Sequence, residues 1–330
     1  MRRFGKTVPQ GVQSLVPCHF LTDGDKVTAF GHGRCFRVPY KQSIGEAVPE
    51  KLRDTNVLDF ADAVFGCAEI CAGRVYFDDA TPVDETVHEL KTSQAHLLMP
   101  PNPTSYQLYL TQNPKSNKLT FWDEKDGRVP KIRGYKFYWH KAAPDWQANA
   151  DELALDRGKS DDKRLTKEMT PLAKGSTFTA KINFKNLSAI ELGALMMIFD
   201  LDGAKNPAYK IGQGKPFGLG SIKITPTLFV EAKEAYTELF GAEGWKSPYR
   251  EEPPADYLEA FKNFLEEKNM SETWQKIMDD LKKISDWSLT QKPGWDNKVK
   301  SMSGDVSQKD GVDQRFKTRE PLPTIFEVVK

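Results

Sequence analysis

Gly212, Gly214, Gly218 and Gly220, with Lys215 among them, lie within ten residues, Ile211–Gly220 (IGQGKPFGLG). Such a run can meet phosphate: without Cβ atoms the main chain comes close to an anion, its N–H groups donate, and a lysine adds charge. The spacing is not that of a nucleotide enzyme. G-x-G-x-x-x-G-x-G misses the dinucleotide fingerprint by one residue, and Pro216 stands where a P-loop carries Ser or Thr for magnesium. A phosphate loop also follows a strand and opens a helix, whereas here a helical pattern precedes and a strand pattern follows. ATP and NAD are therefore disfavoured. Two readings stay open. The glycines either make a sharp helix-to-strand connection with positive φ angles, or let an RNA backbone lie against the main chain. Four lysines (Lys205, Lys210, Lys215 and Lys223) and no acid between Gly203 and Pro226 tilt the balance towards RNA.

Two further stretches mix cations with rings. Arg34, Arg37, Lys41, Gln42 and Ser43 offer donors beside Phe36 and Tyr40, and Lys131, Arg133, Tyr135, Lys136, Phe137, Tyr138, Trp139 and His140 have the same character. Single-stranded RNA asks for this mixture, since phosphates need cations and unstacked bases need platforms. Ordinary surface strands can also look like this, and an aromatic-rich strand turns alternate residues inward. Other chemistry is weakly signalled. His19, His32, His88, His96 and His140 have no metal-ligand spacing. Cys67 and Cys71 form C-x3-C without a matching second pair, so buried thiols are expected rather than zinc. Asp78 and Asp79 are adjacent, and Asp23-Gly24-Asp25 reads as a plain turn.

The bulk numbers narrow the class. With 330 residues and 39% hydrophobic content the chain can bury a sizeable core. The 47 basic and 46 acidic side chains leave a net charge of +1, which excludes a uniformly basic nucleic-acid coat but leaves room for a local basic groove. The four cysteines, Cys18, Cys35, Cys67 and Cys71, are too scattered for a secreted disulfide framework. No apolar stretch approaches the length of a membrane span, and the N-terminal residues lack a signal peptide's apolar region. A cytoplasmic protein without a membrane partner is expected.

The elements that must position these residues follow from patterning. Ser14–Phe20 and Val27–Phe30 read as strands around the turn Thr22–Lys26. A helix is expected from about Pro49 to Phe65, stopped by Gly66, then a strand over Gly73–Ala80. The region 81–175 is irregular, with an inserted β-hairpin predicted from Tyr106–Thr111 and Leu119–Trp122 and a charged, mobile stretch over Ala148–Lys167. Thr177–Phe184 alternates as a strand. Ser188 and Glu191 form a capping box opening an apolar, buried helix, and Ser221–Val230 reads as a strand. Glu251–Pro254 reads as a linker, followed over 250–290 by two amphipathic helices bearing Tyr257, Leu258, Phe261, Phe264 and Leu265, then Trp274, Ile277, Met278, Leu281 and Ile284. A polar tail, 291–330, is expected to be held only by docking or by a partner.

Four segments in order resemble the CRISPR-associated repeat-associated mysterious protein (RAMP) superfamily. I-G-x-G-K-x-x-G-x-G before a strand is similar to the family's glycine loop. Val64–Ala80 (VFGCAEICAGRVYFDDA) is similar to its F-G, A-G-R-hydrophobic, D-A pattern. Arg37–Ile44 (RVPYKQSI) resembles the segment leading into the first helix, and Arg133–His140 (RGYKFYWH) resembles a segment of the long or fused type III RAMP proteins. Together they span about residues 15–225.

The resemblance implies an α+β fold: a modified ferredoxin-like (RRM-like) core over 1–245 with inserted hairpins and irregular segments, plus a C-terminal helical extension. It implies a guide (crRNA)-binding backbone subunit of a type III effector ribonucleoprotein in antiviral defence, with guide RNA, complementary target RNA and other RAMP subunits as partners. Arg34, Arg37, Lys41, Gln42, Ser43, Arg74, Lys131, Arg133, Lys136, Tyr138, His140, Gly212, Gly214, Lys215, Gly218 and Gly220 are then candidate RNA contacts. In cutting members an aspartate upstream of the P-Y segment works with magnesium, which makes Asp23 and Asp25 the candidates for catalysis; Mg2+ is expected only if the chain cuts RNA. In the family the D-A pair caps a strand, which gives Asp78 and Asp79 a structural role. In the long relatives an earlier RAMP unit precedes this pattern, so the chain corresponds to a split subunit or to part of a longer protein. A magnesium-dependent endoribonuclease and a scaffold that docks a partner through its helical region remain the alternatives.

Overall fold

The structure, a computed structural model, describes residues 17–330 except 55, 69, 85–86, 99, 114–115, 117, 125, 242–243, 302–314 and 316–317. The start of the first apolar run, residues 14–16, lies outside them. The chain divides into two compact units, Met1–Asp54 with Tyr106–Arg133, and Thr55–Ser105 with Gly134–Lys330.

In the first unit, β1 (His19–Asp23) and β2 (Lys26–Gly31) pair antiparallel around the Asp-Gly turn, with a bulge at Leu21/Thr22. A small core gathers Ala47, Leu110 and Trp122, with Tyr106, Tyr109 and Ile132 packed on it. The hairpin expected over 106–122 is not formed among the described residues. Tyr106–Leu108 is a 3-10 turn, and Leu110 bridges Ile132 instead. The side-chain amide of Gln112 replaces the ladder: its Nε2 donates to Thr120 O at 2.9 Å and its Oε1 accepts from Thr120 N–H at 2.7 Å. One side chain thus satisfies both groups that strand pairing would have used.

In the second unit the helix expected from Pro49 shrinks to α1 (Phe60–Phe65). Asp59 caps it through a reciprocal pair with Asp62, and Gly66 ends it at φ 92°. The residues before it form only a 3-10 turn, Glu50–Leu52, in the first unit. Strand β3 (Val75–Phe77) is followed by β4 (Thr81–Pro82), β5 (Ser93–Gln94), α2 (Ala150–Leu155), β6 (Glu168–Met169), β7 (Phe178–Thr179) and β8 (Ile182–Phe184). β3 pairs with β8, β4 with β7 and β5 with β6, all antiparallel, so the insertion is a ladder of short nested pairs. The stretch expected to be mobile is built into it. Asp156 accepts from Leu165 N–H, Thr166 N–H and Thr166 Oγ1 at 2.7–2.8 Å, and these bonds hold its carboxyl far below the usual range.

Helix α3 (Ala189–Asp200) opens at the expected capping box, Ser188 with Glu191, and buries Leu192, Leu195, Met196 and Met197. Val64, Val75, Leu192, Leu195, Met196 and Leu228 form one core. β9 (Tyr209–Lys210) pairs with β10 (Ser221–Ile222) across the glycine segment. The expected strand to Val230 is interrupted and resumes as β11 (Phe229–Glu231). β12 (Phe240–Gly241) and β13 (Gly244–Trp245) form a tight pair, and β14 (Tyr249–Glu251) returns to β11, so Glu251 belongs to a strand and not to a linker. All described strands pair in twos; the continuous sheet of a ferredoxin-like core is not assembled among them.

The amphipathic helices are α4 (Ala255–Glu267) and α5 (Ser271–Ile284). Phe261, Leu265 and Met278 share a core with Met197 and Leu201, so both helices complete the burial of α3. Asp202, just past α3, binds Lys262 of α4 at 2.8 Å and Lys282 of α5 at 2.7 Å. Among the described residues two short helices follow, α6 (Trp295–Lys298) and α7 (Ile325–Val329), and Leu289, Trp295 and Val328 cluster. The described part of the polar tail is thus docked on this unit.

Candidate nucleic-acid interface

The glycine segment joins β9 to β10 through a 3-10 turn, Lys215–Phe217. Gly212, Gly214, Gly218 and Gly220 all have φ between 68° and 102°, the region other L-residues enter at a cost. Three of them also answer to packing, Gly214 because a Cβ there would meet the Leu219 side chain at 2.6 Å. A Cβ at Gly220 would fall inside the carbonyl oxygen of Ile211, and one at Gly218 would meet the Lys141 side chain at 2.9 Å. Gly212 faces open space. Ile211 N–H donates to Gly220 O at 2.9 Å and closes the loop, while Phe217 N–H and Leu219 N–H both return to Gly214 O. The N–H groups of Gly212, Gln213, Gly214 and Lys215 find no acceptor among the described residues, and neither does the Lys215 ammonium. Consecutive main-chain donors without a partner among the described residues, beside a lysine, are groups that an anion site of this kind uses.

Beneath the loop the site is basic and partly desolvated. Lys210 Nζ donates to Gly218 O at 2.9 Å and Leu219 O at 3.0 Å. Burial, and then the neighbouring Lys141, bring its pKa down to about 8. Phe217 packs with Ala95 and Trp146, and its ring lies 5.5 Å from that of His96. His96 in turn bonds Glu152 at 2.6 Å and Asp145 at 3.3 Å, which ties the loop to the insertion.

Several candidates prove to be structural. Arg74 donates to Ala63 O at 2.8 and 3.0 Å, to Asn186 O at 2.6 Å and to both carboxylate oxygens of Glu191. Its donors are spent on joining α1, α3 and β3, so it is not available to RNA. His140 is only 3% exposed. Its Nε2 donates to Ala208 O at 3.1 Å, so Nδ1 is the acceptor for the Ser221 hydroxyl at 2.9 Å. Burial, then Lys210, pushes its pKa down to about 4, so it is neutral and sealed rather than a phosphate ligand. The segment 133–140 forms no strand among the described residues. Tyr135 is 93% exposed and Lys136 lies 5.0 Å over the half-buried Tyr138 ring. Trp139 packs edge-on against Trp295, whose Nε1 donates to His140 O at 2.9 Å. Side-chain anchoring replaces the expected alternation.

In the first unit Arg34, Arg37 and Lys41 are exposed, and their charged groups make no bond among the described residues; the same holds for Lys131. Arg133 is exposed as well, and Gln42 is half-buried. Ser43 is committed to capping a 3-10 turn with Glu46, and Lys41 N–H donates to Asp123 at 2.6 Å. Tyr40 stacks edge-to-face on Phe121, with ring centres 6.0 Å apart. Asp23 ends β1 and Asp25 lies in the turn after it, both exposed, and no group of three or more His, Cys, Asp or Glu that could hold a metal ion gathers among the described residues. Compared with protein-family models and with curated proteins, the chain matches none. No helix among the described residues is long and apolar enough to cross a membrane.

The remaining candidates also have places. Cys67 and Cys71 are free, half-buried cysteines whose main chains form one isolated β-bridge; burial, with Asp62, pushes the Cys67 thiol up. Asp78 accepts from Asn183 Nδ2 at 2.9 Å and pins β3 to β8. Sequence reasoning missed Lys141, which is buried under Gly218. The only signal was its place at the end of the aromatic run.

Proposed function

We propose that the chain is a guide-RNA-binding backbone subunit of a type III CRISPR effector, a RAMP-like protein that positions guide and complementary target RNA alongside other RAMP subunits. The observation that carries this is the glycine segment: four N–H groups at Gly212–Lys215 and a Lys215 ammonium that find no partner among the described residues, and no acid between Gly203 and Pro226. Arg34, Arg37, Lys41 and Lys131, whose charged groups make no bond among the described residues, add cations of the kind a phosphate backbone requires. The order of elements supports the finer fold as well. β3 and β8 form an antiparallel pair around an insertion, and α3, the glycine segment and β10 follow, as in an RRM-like core elaborated between two of its strands.

The test is binding of labelled single-stranded RNA across a salt series, together with analysis of any RNA that co-purifies. Affinity for wild type should fall linearly with salt on a log–log plot. Arg37→Ala with Lys41→Ala should lower that slope by about 0.7 for each phosphate no longer neutralised. Asp23→Ala and Asp25→Ala should leave both guide binding and the pattern of target cleavage unchanged. No RNA binding by folded wild type sinks the proposal. Disappearance of one regularly placed, magnesium-dependent cut in either aspartate variant replaces it with the nuclease reading.

A further inference from the structure

We infer that Lys141 forms an anion site beneath the glycine segment that takes a phosphate oxygen of bound RNA, a role that rests on the RNA-binding reading above. Lys141 is 5% exposed, yet its ammonium makes no hydrogen bond and no ion pair among the described residues. Burial is the largest cause lowering its pKa, so the ammonium is partly desolvated with no protein partner among the described residues to offset that cost.

The surroundings explain why nothing in the chain supplies that partner. The Lys141 stem lies against the main chain at Gly218, where a Cβ would meet its Cβ, Cδ and Cγ at 2.9–3.2 Å. Two carbonyls of the loop, Gly218 O and Leu219 O, are already taken by Lys210. Two carboxylates attract Lys141, Asp145 and Asp296, and both are committed elsewhere. Asp296 accepts the N–H groups of Ala142 and Ala143 at 3.2 and 3.0 Å, and Asp145 bonds His96 at 3.3 Å. Lys300 and Lys210 repel it. The nitrogen is not sealed, however. The fully enclosed side-chain polar atoms without a partner, among the described residues, are Gln107 Oε1 and Arg128 Nε. A buried stem with an unsealed head, unpaired among the described residues, can be reached by an external anion. The phosphodiester is the anion favoured here because the same loop offers the unspent N–H groups of Gly212–Lys215.

The cations respond in a way that can be measured. Burial first, then Lys300, lowers the Lys141 pKa against the pull of Asp145 and Asp296, and Lys210 stands at about 8. An anion among them favours their charged forms, so binding near pH 8 is accompanied by proton uptake.

The experiment compares wild type with Lys141→Met, which keeps the length and apolar packing of the stem and removes the charge. RNA affinity is measured across salt, proton uptake by calorimetry in buffers of different ionisation heat, and melting temperature in the free protein. The variant should lose about 0.7 of the salt slope, take up fewer protons, and melt no lower than wild type, because the charge removed makes no hydrogen bond or ion pair among the described residues. A lysine with only a structural role predicts the reverse, a lowered melting temperature with RNA binding intact. Wild-type affinity, slope and proton uptake in Lys141→Met overturn the inference and leave the RNA reading standing. If wild type binds no RNA, a titration with inorganic phosphate decides. Phosphate binding that vanishes in Lys141→Met keeps the anion site but removes RNA as its source, and no phosphate binding overturns both.

Discussion

Gly212 and Gly220 share a backbone conformation but not a neighbourhood, and this separates the two roles of the loop. At φ 73° and 69° an alanine pays a similar conformational penalty at either site, about 1 kcal/mol. At Gly212 nothing lies within 4 Å of the new Cβ, so the cost should stop there. At Gly220 the Cβ would fall inside Ile211 O, and the main chain must shift. That shift stretches the 2.9 Å bond from Ile211 N–H to Gly220 O, a loss of about 1 kcal/mol, with a similar amount for displaced packing. Gly220→Ala should therefore cost about 3 kcal/mol against about 1 for Gly212→Ala. A gap of about 2 kcal/mol is about thirtyfold in the unfolding constant. Urea titration followed by tryptophan fluorescence measures it, since Trp146 is buried in the cluster with Phe217 of the loop. Equal costs at the two positions, or a greater one at Gly212, would refute the packing argument.

Two predictions concern the residues that turned inward. Arg74→Met should cost about 3 kcal/mol, because Glu191 is left short of its main partner, while the affinity of the folded fraction for RNA stays at the wild-type value in the same binding assay. Arg74 is the largest cause of the lowered Glu191 pKa, so the pair stabilises the fold above the unfolded carboxyl value and that contribution is lost as pH falls through the folded one; acid titration of stability should be shallower in the variant. His140 behaves differently. With a folded pKa of about 4 against 6.5 unfolded, the unfolded chain takes the proton first, so stability falls as pH drops from about 6.5 towards 4, by about 3 kcal/mol in all. Urea midpoints across that range should show the slope in wild type and lack it in His140→Asn; an equal slope in both would place the titrating group elsewhere.

Arg74 and His140 show how the candidate site was sorted. From their types and their places in basic or aromatic runs, both qualified as RNA contacts. The partners that exclude them, Glu191 for Arg74, and Ala208 and Ser221 for His140, lie far along the chain. Lys141 was passed over for the same reason, because an unpaired ammonium is defined by what fails to reach it. Arg37 and Lys41, which are exposed, and the half-buried Lys215 of the loop were legible because a place at a turn or loop asks little of distant residues.

Whatever depends on one or two turns of chain was determined by the sequence alone. Ser188 with Glu191 opens α3, Gly66 ends α1, the Asp-Gly turn joins β1 to β2, and the apolar spacing of α4 and α5 marks their buried faces. These signals act through hydrogen bonds and side-chain periodicity within a few residues. Only the tertiary structure decided that the pairing over 106–122 passes through the Gln112 side chain, that the charged stretch at 148–167 is anchored by Asp156, and that α4 and α5 complete the core of α3. In each case distant groups compete for one polar atom or one apolar face, and the winner is settled by which of them the folded chain brings within reach.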